Sequence, residues 1–184
     1  MAVIRSVIRG VGAHLPKRIM TNDDLAKMVD TTDAWITERT GIRQRHIADA
    51  GEYTSDLGAA AARKALVRAK IDPVDIDLVI CATATPDRTF PATAVRIQNM
   101  LGVTKGAAFD IQAVCSGFVF AMATADNFLK TGQFQRALRQ WVPVGFIGCT
   151  AYQCGFHFKL EFECIQYLDG LGHDLGADAV ARQD

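Results

Sequence analysis

Excess charge of either sign is what this sequence lacks. Its 184 residues carry 20 Lys and Arg against 20 Asp and Glu, a formal net charge of +0. A chain so balanced has no general electrostatic pull toward nucleic acid or an anionic membrane, so any basic site must be local. Long apolar runs are missing as well. The longest stretch free of Asp, Glu, Lys, Arg and His, Gln140 to Phe156, is interrupted by Pro143, Gly145, Gly148 and Gly155. It falls short of the roughly 20 apolar residues that a spanning helix needs. The opening MAVIRSVIRG alternates apolar residues with arginine and has no continuous apolar core, so it does not read as an export leader, and a cytoplasmic setting is expected. Five cysteines are an odd count. In a reducing compartment their spacing is better read for nucleophiles or metal ligands than for disulfides. No internal repeat or low-complexity linker marks a domain boundary.

What is present is the composition of a globular protein, 49% hydrophobic and 22% charged, long enough for one large domain or two small ones of roughly 100 to 200 residues each. Ala2 to Leu15 is rich in β-branched residues and predicts a strand that Pro16 ends. Thr21 or Asn22 caps a short helix with Asp23 and Asp24 at its positive end. A second helix starts at Thr31 or Thr32, places Trp35 and Arg39 one turn apart, and stops near Gly41. Thr54 to Lys70 is alanine-rich and apolar nearly all round between Leu57 and Ala62, as a helix buried between layers would be. After a turn at Pro73, Ile76 to Thr83 predicts a strand buried on both faces. A helix after Pro91 shows Ala94, Ile97 and Leu101 on one face and stops at Gly102. Ala107 to Ile111 is a further strand. From Ser116 to Lys130, Phe118, Met122, Ala125 and Leu129 recur at helical spacing. This alternation predicts an α/β fold with a mainly parallel sheet.

The pattern fails after Leu138. The 46 residues 139–184 hold seven of the 15 aromatics and three of the five cysteines. The expected organisation is therefore a unit over 1–138 followed by a divergent tail over 139–184, frame-shifted or disordered; the coding DNA past codon 138 tests the frame shift. Within that tail, Cys149, Cys154, Cys164 and His157 are not spaced as paired C-x-x-C knuckles, so no metal is expected there.

Two constellations could carry chemistry. Cys115, in FDIQAVCSGFVF, stands between an apolar strand and a helix, where unpaired N–H groups and the positive helix end favour thiolate over thiol. Ser116 and Gly117 leave room for a substrate carbonyl and for an oxyanion held by backbone N–H groups. The plain alternative is an inert buried thiol. Trp35 with Arg39 could stack on a flat ligand while the cation pairs with phosphate, as an adenine nucleotide or coenzyme A requires; a core tryptophan beside a solvated arginine is the other reading. Arg43, Arg45 and His46 would add local positive charge, or form a surface salt-bridge cluster.

The strings MVDTTDAWITERTGIRQRHIA, ATATPDRTFPATA and FDIQAVCSGF strongly resemble the β-ketoacyl-[acyl-carrier-protein] synthase III family of the thiolase superfamily, from about Val3 to Leu138. The resemblance implies a thiolase-like half-domain: a mainly parallel mixed sheet with helices on both faces, incomplete as it stands. It implies a fatty-acid initiation enzyme in which Cys115 takes an acyl group, usually acetyl, from acyl-coenzyme A, and malonyl-acyl carrier protein then decarboxylates and attacks the thioester. Trp35 and Arg39 would contact the adenine end of coenzyme A, Thr31 would make another nucleotide contact, and Phe90 would line the primer pocket across a homodimer interface. Acyl-coenzyme A is then a substrate, with no separate cofactor, nucleic acid or membrane involved. The family's Gly-Asp-Gly-Ala-Gly loop and its catalytic histidine and asparagine have no match here, and His14, His46, His157 and His173 fit neither motif. The alternative is a non-catalytic half that binds coenzyme A or pairs with an intact synthase.

Overall fold

The computed structural model describes residues 6–141 and the short strand at Lys159–Glu161. In chain order the elements are β1 (Gly10–Gly12), β2 (Arg18–Thr21), α1 (Asn22–Ala26), α2 (Asp33–Thr40), β3 (Gln44–Ile47), α3 (Thr54–Ala69), β4 (Leu78–Ala82), α4 (Thr93–Leu101), β5 (Ala107–Ile111), α5 (Gly117–Lys130), β6 (Ala137–Trp141) and β7 (Lys159–Glu161). Single 3-10 turns at Pro73–Asp75 and Val114–Ser116 precede β4 and α5.

The central sheet has the order β5-β4-β6, all parallel. Every residue of β4 is buried, which is why its sequence is an unbroken apolar run rather than an alternation. Its side chains divide by parity, as the pleat requires. Val79 and Cys81 join Ala59, Ala62 and Leu66 of α3 and Ala94 and Ile97 of α4. Leu78, Ile80 and Ala82 join Ala121, Ala125 and Leu129 of α5. Helices therefore cover both faces, and the architecture is the thiolase-like α/β arrangement expected. No helix among the described residues is long and apolar enough to cross a membrane.

Three local expectations are corrected. The strand predicted over Ala2 to Leu15 is reduced, among the residues described, to Gly10–Gly12. That segment lies directly on α3: a Cβ on Gly10 would stand 2.6 Å from the Ala65 carbonyl oxygen, and one on Gly12 would meet that of Ala61. Val7 and Ile8, although β-branched, have no partner strand among the described residues and remain exposed. On α5 the buried face is Gly117, Ala121, Ala125 and Leu129, not the stripe led by Phe118 and Met122. Small residues let this helix approach β4 closely, and the bulky ones are displaced to its flanks. The sequence also gives no warning of β6, whose middle residue is Arg139. The boundary expected at Leu138 falls inside this strand, which pairs with β4 through Trp141. The cysteines and histidine of the tail lie outside the described residues.

Arg139 is 0% exposed. Its guanidinium lies 3.8 Å from the centroid of the Phe118 ring, and Nη1 donates to the Phe118 carbonyl oxygen at 2.9 Å. Burial, which penalises the charged form, pushes its pKa from the ordinary arginine range down to about 9. The folded state thus holds this proton less tightly than the unfolded chain, so the destabilising contribution is fully present below about pH 9 and fades as pH rises above it. Relative to Arg139→Met, the wild type is expected to gain stability between neutral pH and about pH 10. Urea midpoints of the two chains at both pH values check this; a constant difference contradicts it.

Candidate functional site

Cys115 sits in the 3-10 turn that links β5 to α5, at the C-terminal end of the parallel sheet, where ligands of open α/β sheets bind. The turn is tight: Ser116 N–H donates to the Ala113 carbonyl oxygen at 2.9 Å. Val114 is held at φ +44°, a left-handed conformation that a β-branched residue adopts only under strain. The consequence is that the Cys115 side chain is presented to solvent rather than folded into the core. Cys81, in the middle of β4, is 0% exposed. The helix proper begins at Gly117, so the thiol precedes it by two residues instead of lying within its first turn.

Phe90 lies in the segment joining β4 to α4, at the same end of the sheet, and is 87% exposed. Two carboxylates hold that segment. Asp87 accepts the Ser55 N–H at 3.0 Å and pairs with Arg96 at 3.0 Å. Asp110, on β5, accepts the Thr93 and Ala94 N–H groups, each at 2.7 Å, so it caps α4 with charge-assisted bonds. A strand residue five positions before Cys115 thereby fixes the helix that follows Phe90. Nothing local in the sequence announces either carboxylate, because each acts on a distant segment.

Trp35 and Arg39 belong to a second layer built from the antiparallel pair β2 and β3 with α1 and α2. Here the caps were legible. Thr32 Oγ1 accepts the Trp35 N–H at 3.1 Å, and Gly41 ends the helix with φ +69°. Thr21 and Asp24 form a capping box on α1. The Lys27 ammonium, with the Thr21 hydroxyl and N–H, holds the Asp24 carboxyl down to about 2. Trp35 is 42% exposed, so it is not a core residue, and the Arg39 guanidinium lies 4.5 Å over its ring. Only Ile36 of α2 is buried; one such side chain contributes about 1.5–3 kcal/mol, little to fix a helix in place. Thr31 precedes the helix with its hydroxyl oxygen buried and without a hydrogen-bond partner among the described residues.

The basic cluster is corrected. Arg45 is buried, and its Nη1 donates to Asn22 Oδ1 at 2.8 Å; burial lowers its pKa. His46 Nδ1 lies 2.7 Å from the Pro16 carbonyl oxygen. Neither forms a surface cluster or a phosphate-facing patch. A cleft of about 640 Å³ does open beside α2, but Asp23, Asp33 and Glu38 outnumber Arg43 along it, so its charge repels phosphate. Trp35 and Arg39 are not among its walls. The structure thus gathers Cys115 and Phe90 at one end of the sheet, and gathers Thr31, Trp35 and Arg39 on the second layer.

A parallel α/β sheet covered on both faces, with an exposed cysteine on a strained strand-to-helix turn, is the arrangement that the resemblance to the thiolase-like class implies. Comparison with known proteins carries this further. A family model described as 3-oxoacyl-[acyl-carrier-protein (ACP)] synthase III matches residues 109–139. The chain is 53% identical over 169 residues to the β-ketoacyl-[acyl-carrier-protein] synthase III of Rhodospirillum centenum, with 92% of this chain and 50% of that protein covered. It is 54% identical over 170 residues to the same enzyme of Agrobacterium fabrum, at the same coverage. The crystal structure of 3-oxoacyl-[acyl-carrier-protein] synthase III from Aquifex aeolicus superposes with a TM-score of 0.79 at 38% identity, covering 89% of this chain and 55% of that one. Over the part it spans, the chain is a close homologue of β-ketoacyl-[acyl-carrier-protein] synthase III. It spans about half the length of the curated relatives it matches, and an alignment of 169 residues reaches past Leu138.

Proposed function

We propose that this chain carries the acyl-capturing part of a β-ketoacyl-[acyl-carrier-protein] synthase III, the acyltransferase that opens fatty acid biosynthesis. The exposure of Cys115 on its strained turn, against the complete burial of Cys81, is the observation that carries the reading. Cys115 Sγ attacks the carbonyl carbon of acetyl-coenzyme A, a new C–S bond forms, the bond to the coenzyme A sulfur breaks, and coenzyme A leaves as a thiol with the proton that Cys115 gave up. Covalent capture splits a condensation between two thioesters into two steps, each with one leaving thiolate. Trp35 and Arg39 are assigned to the adenine end of coenzyme A, with Thr31 as a further contact, and Phe90 to the primer pocket. Malonyl-acyl carrier protein is the second substrate of the whole protein; no residue of this sequence is assigned to its decarboxylation. Acyl-coenzyme A serves as substrate, with no separate cofactor, in the cytoplasm.

Incubation of the folded chain with acetyl-coenzyme A tests the reading. The expected result is a mass gain of one acetyl group on the peptide that contains Cys115; a folded chain that stays unmodified overturns it. The homodimer belongs to the same proposal. Phe90, Val114, Val119 and Phe120 are exposed apolar side chains on the Phe90 segment, the cysteine turn and α5, and large exposed apolar patches mark surfaces that a partner covers. The isolated chain is expected to self-associate or precipitate, and a monodisperse monomer with a cooperative melting transition, seen by sedimentation and calorimetry, contradicts this.

A further inference from the structure

The geometry points to Asn22 as the positioning residue of the nucleotide subsite: one buried amide fixes both ends of α2 against β3 and so sets where Trp35 and Arg39 stand. This rests on the reading of Trp35 and Arg39 given above.

Asn22 is 1% exposed. Its Oδ1 accepts from Arg45 Nη1 on β3 at 2.8 Å. Its Nδ2 donates to Asp33 Oδ1, at the first residue of α2, at 2.7 Å, and to the carbonyl oxygen of Ile42, just beyond the helix end, also at 2.7 Å. Thr37 Oγ1, in the middle of the helix, stands at 3.5 Å. The backbone N–H of Asn22 reaches the Arg43 carbonyl oxygen at 3.4 Å. Three segments are thus referenced to a single planar group.

The chemistry requires an amide. An aspartate at this position would offer only lone pairs to the Asp33 carboxylate and the Ile42 carbonyl, and an apolar residue would leave the buried Arg45 without the Asn22 acceptor. With Ile36 as the only buried side chain of α2, apolar packing alone does not fix the helix's rotation or its slide along its axis. These hydrogen bonds are directional and do. Trp35 and Arg39 point from the same short helix, so a rotation of α2 moves both together and spoils the stack and the phosphate contact at once.

Calorimetric titration of the full chain with coenzyme A tests this. Trp35→Ala is expected to weaken binding about tenfold, the scale of one lost stacking contact. Asn22→Ala is expected to weaken it by about tenfold, as a small misplacement does. In a background that already carries both Trp35→Ala and Arg39→Ala, Asn22→Ala should add no more than about twofold, because the losses share one cause. Asp33→Ala, at an exposed position, cuts the same link and should weaken binding several-fold; it decides the matter if Asn22→Ala does not fold. Folded Asn22→Ala and Asp33→Ala chains that bind coenzyme A as the wild type does, while Trp35→Ala binds weakly, overturn the role of Asn22. Losses that multiply in that triple variant overturn it too, since they place the effect outside Trp35 and Arg39. Wild-type affinity in Trp35→Ala sinks the nucleotide reading itself.

Discussion

Replacing Cys115 by alanine is expected to abolish covalent acetyl capture from acetyl-coenzyme A, and Cys115→Ser to lower it by roughly 10³-fold or more, the order seen when a nucleophile is removed. The serine hydroxyl is a far weaker nucleophile than a thiol at neutral pH when no base activates it. The loss belongs to chemistry and not to binding: coenzyme A contacts assigned to α2 lie on another layer, so Cys115→Ala should retain wild-type affinity for coenzyme A. The natural control is Cys81→Ala. Cys81 is fully buried in β4, where no pantetheine arm reaches, and its replacement should leave labelling intact. Peptide mass mapping after incubation with acetyl-coenzyme A reads all three variants. Labelling of Cys115→Ala at about half the wild-type level or more would remove Cys115 from the proposed mechanism.

The largest stability effect is expected at Gly106, just before β5. Its φ is +79°, and a Cβ there would be driven into the backbone of Asp77, with the Asp77 carbonyl oxygen nearest and its Cα 2.7 Å away. Asp77 cannot yield. Its carbonyl oxygen accepts the Ala107 N–H at 3.1 Å, while its carboxylate accepts the N–H groups of Gln135 at 2.9 Å and Arg136 at 2.8 Å. Moving it would break the junction where β4, β5 and β6 begin. Gly106→Ala is therefore expected to cost about 4 kcal/mol or more, against a total stability of about 5–15 kcal/mol for a domain. Gly102 provides the comparison, with φ +77° but nothing within 4 Å of its would-be Cβ. Gly102→Ala should cost only the left-handed strain of about 1–2 kcal/mol. Urea unfolding that gives the two variants equal losses would show that the close approach to Asp77 does not matter.

Much of the fold was legible because its signals are local. Thr32 and Gly41 delimit α2, and the apolar run of β4 announces a strand covered on both faces; each depends only on near neighbours in sequence. What escaped the reading depends on distant ones. Arg139 looks like the end of a core strand, yet it is accommodated in the core by the ring and carbonyl of Phe118, 21 positions earlier. Arg45 looks like surface charge, yet Asn22, 23 positions away, draws it inward. On α5 the hydrophobic period was visible, but size and not hydrophobicity decides which side faces the sheet, so Ala121 prevails over Phe118 and Met122. For the candidate site, the motifs named Cys115, Trp35 and Arg39. The supporting groups Asp87, Asp110 and Asn22 are invisible to motif reading, since each works by hydrogen bonds across the fold.

The Asp77 junction has a consequence for how such a chain can change over time. By fastening the beginnings of three strands, it leaves their far ends free to carry loops of differing length and chemistry without disturbing strand register. The segments bearing Phe90 and Cys115 hang from those free ends. Variation there can retune which acyl group the proposed capture accepts while the frame is inherited unaltered, much as a lathe keeps its headstock when the tool is exchanged.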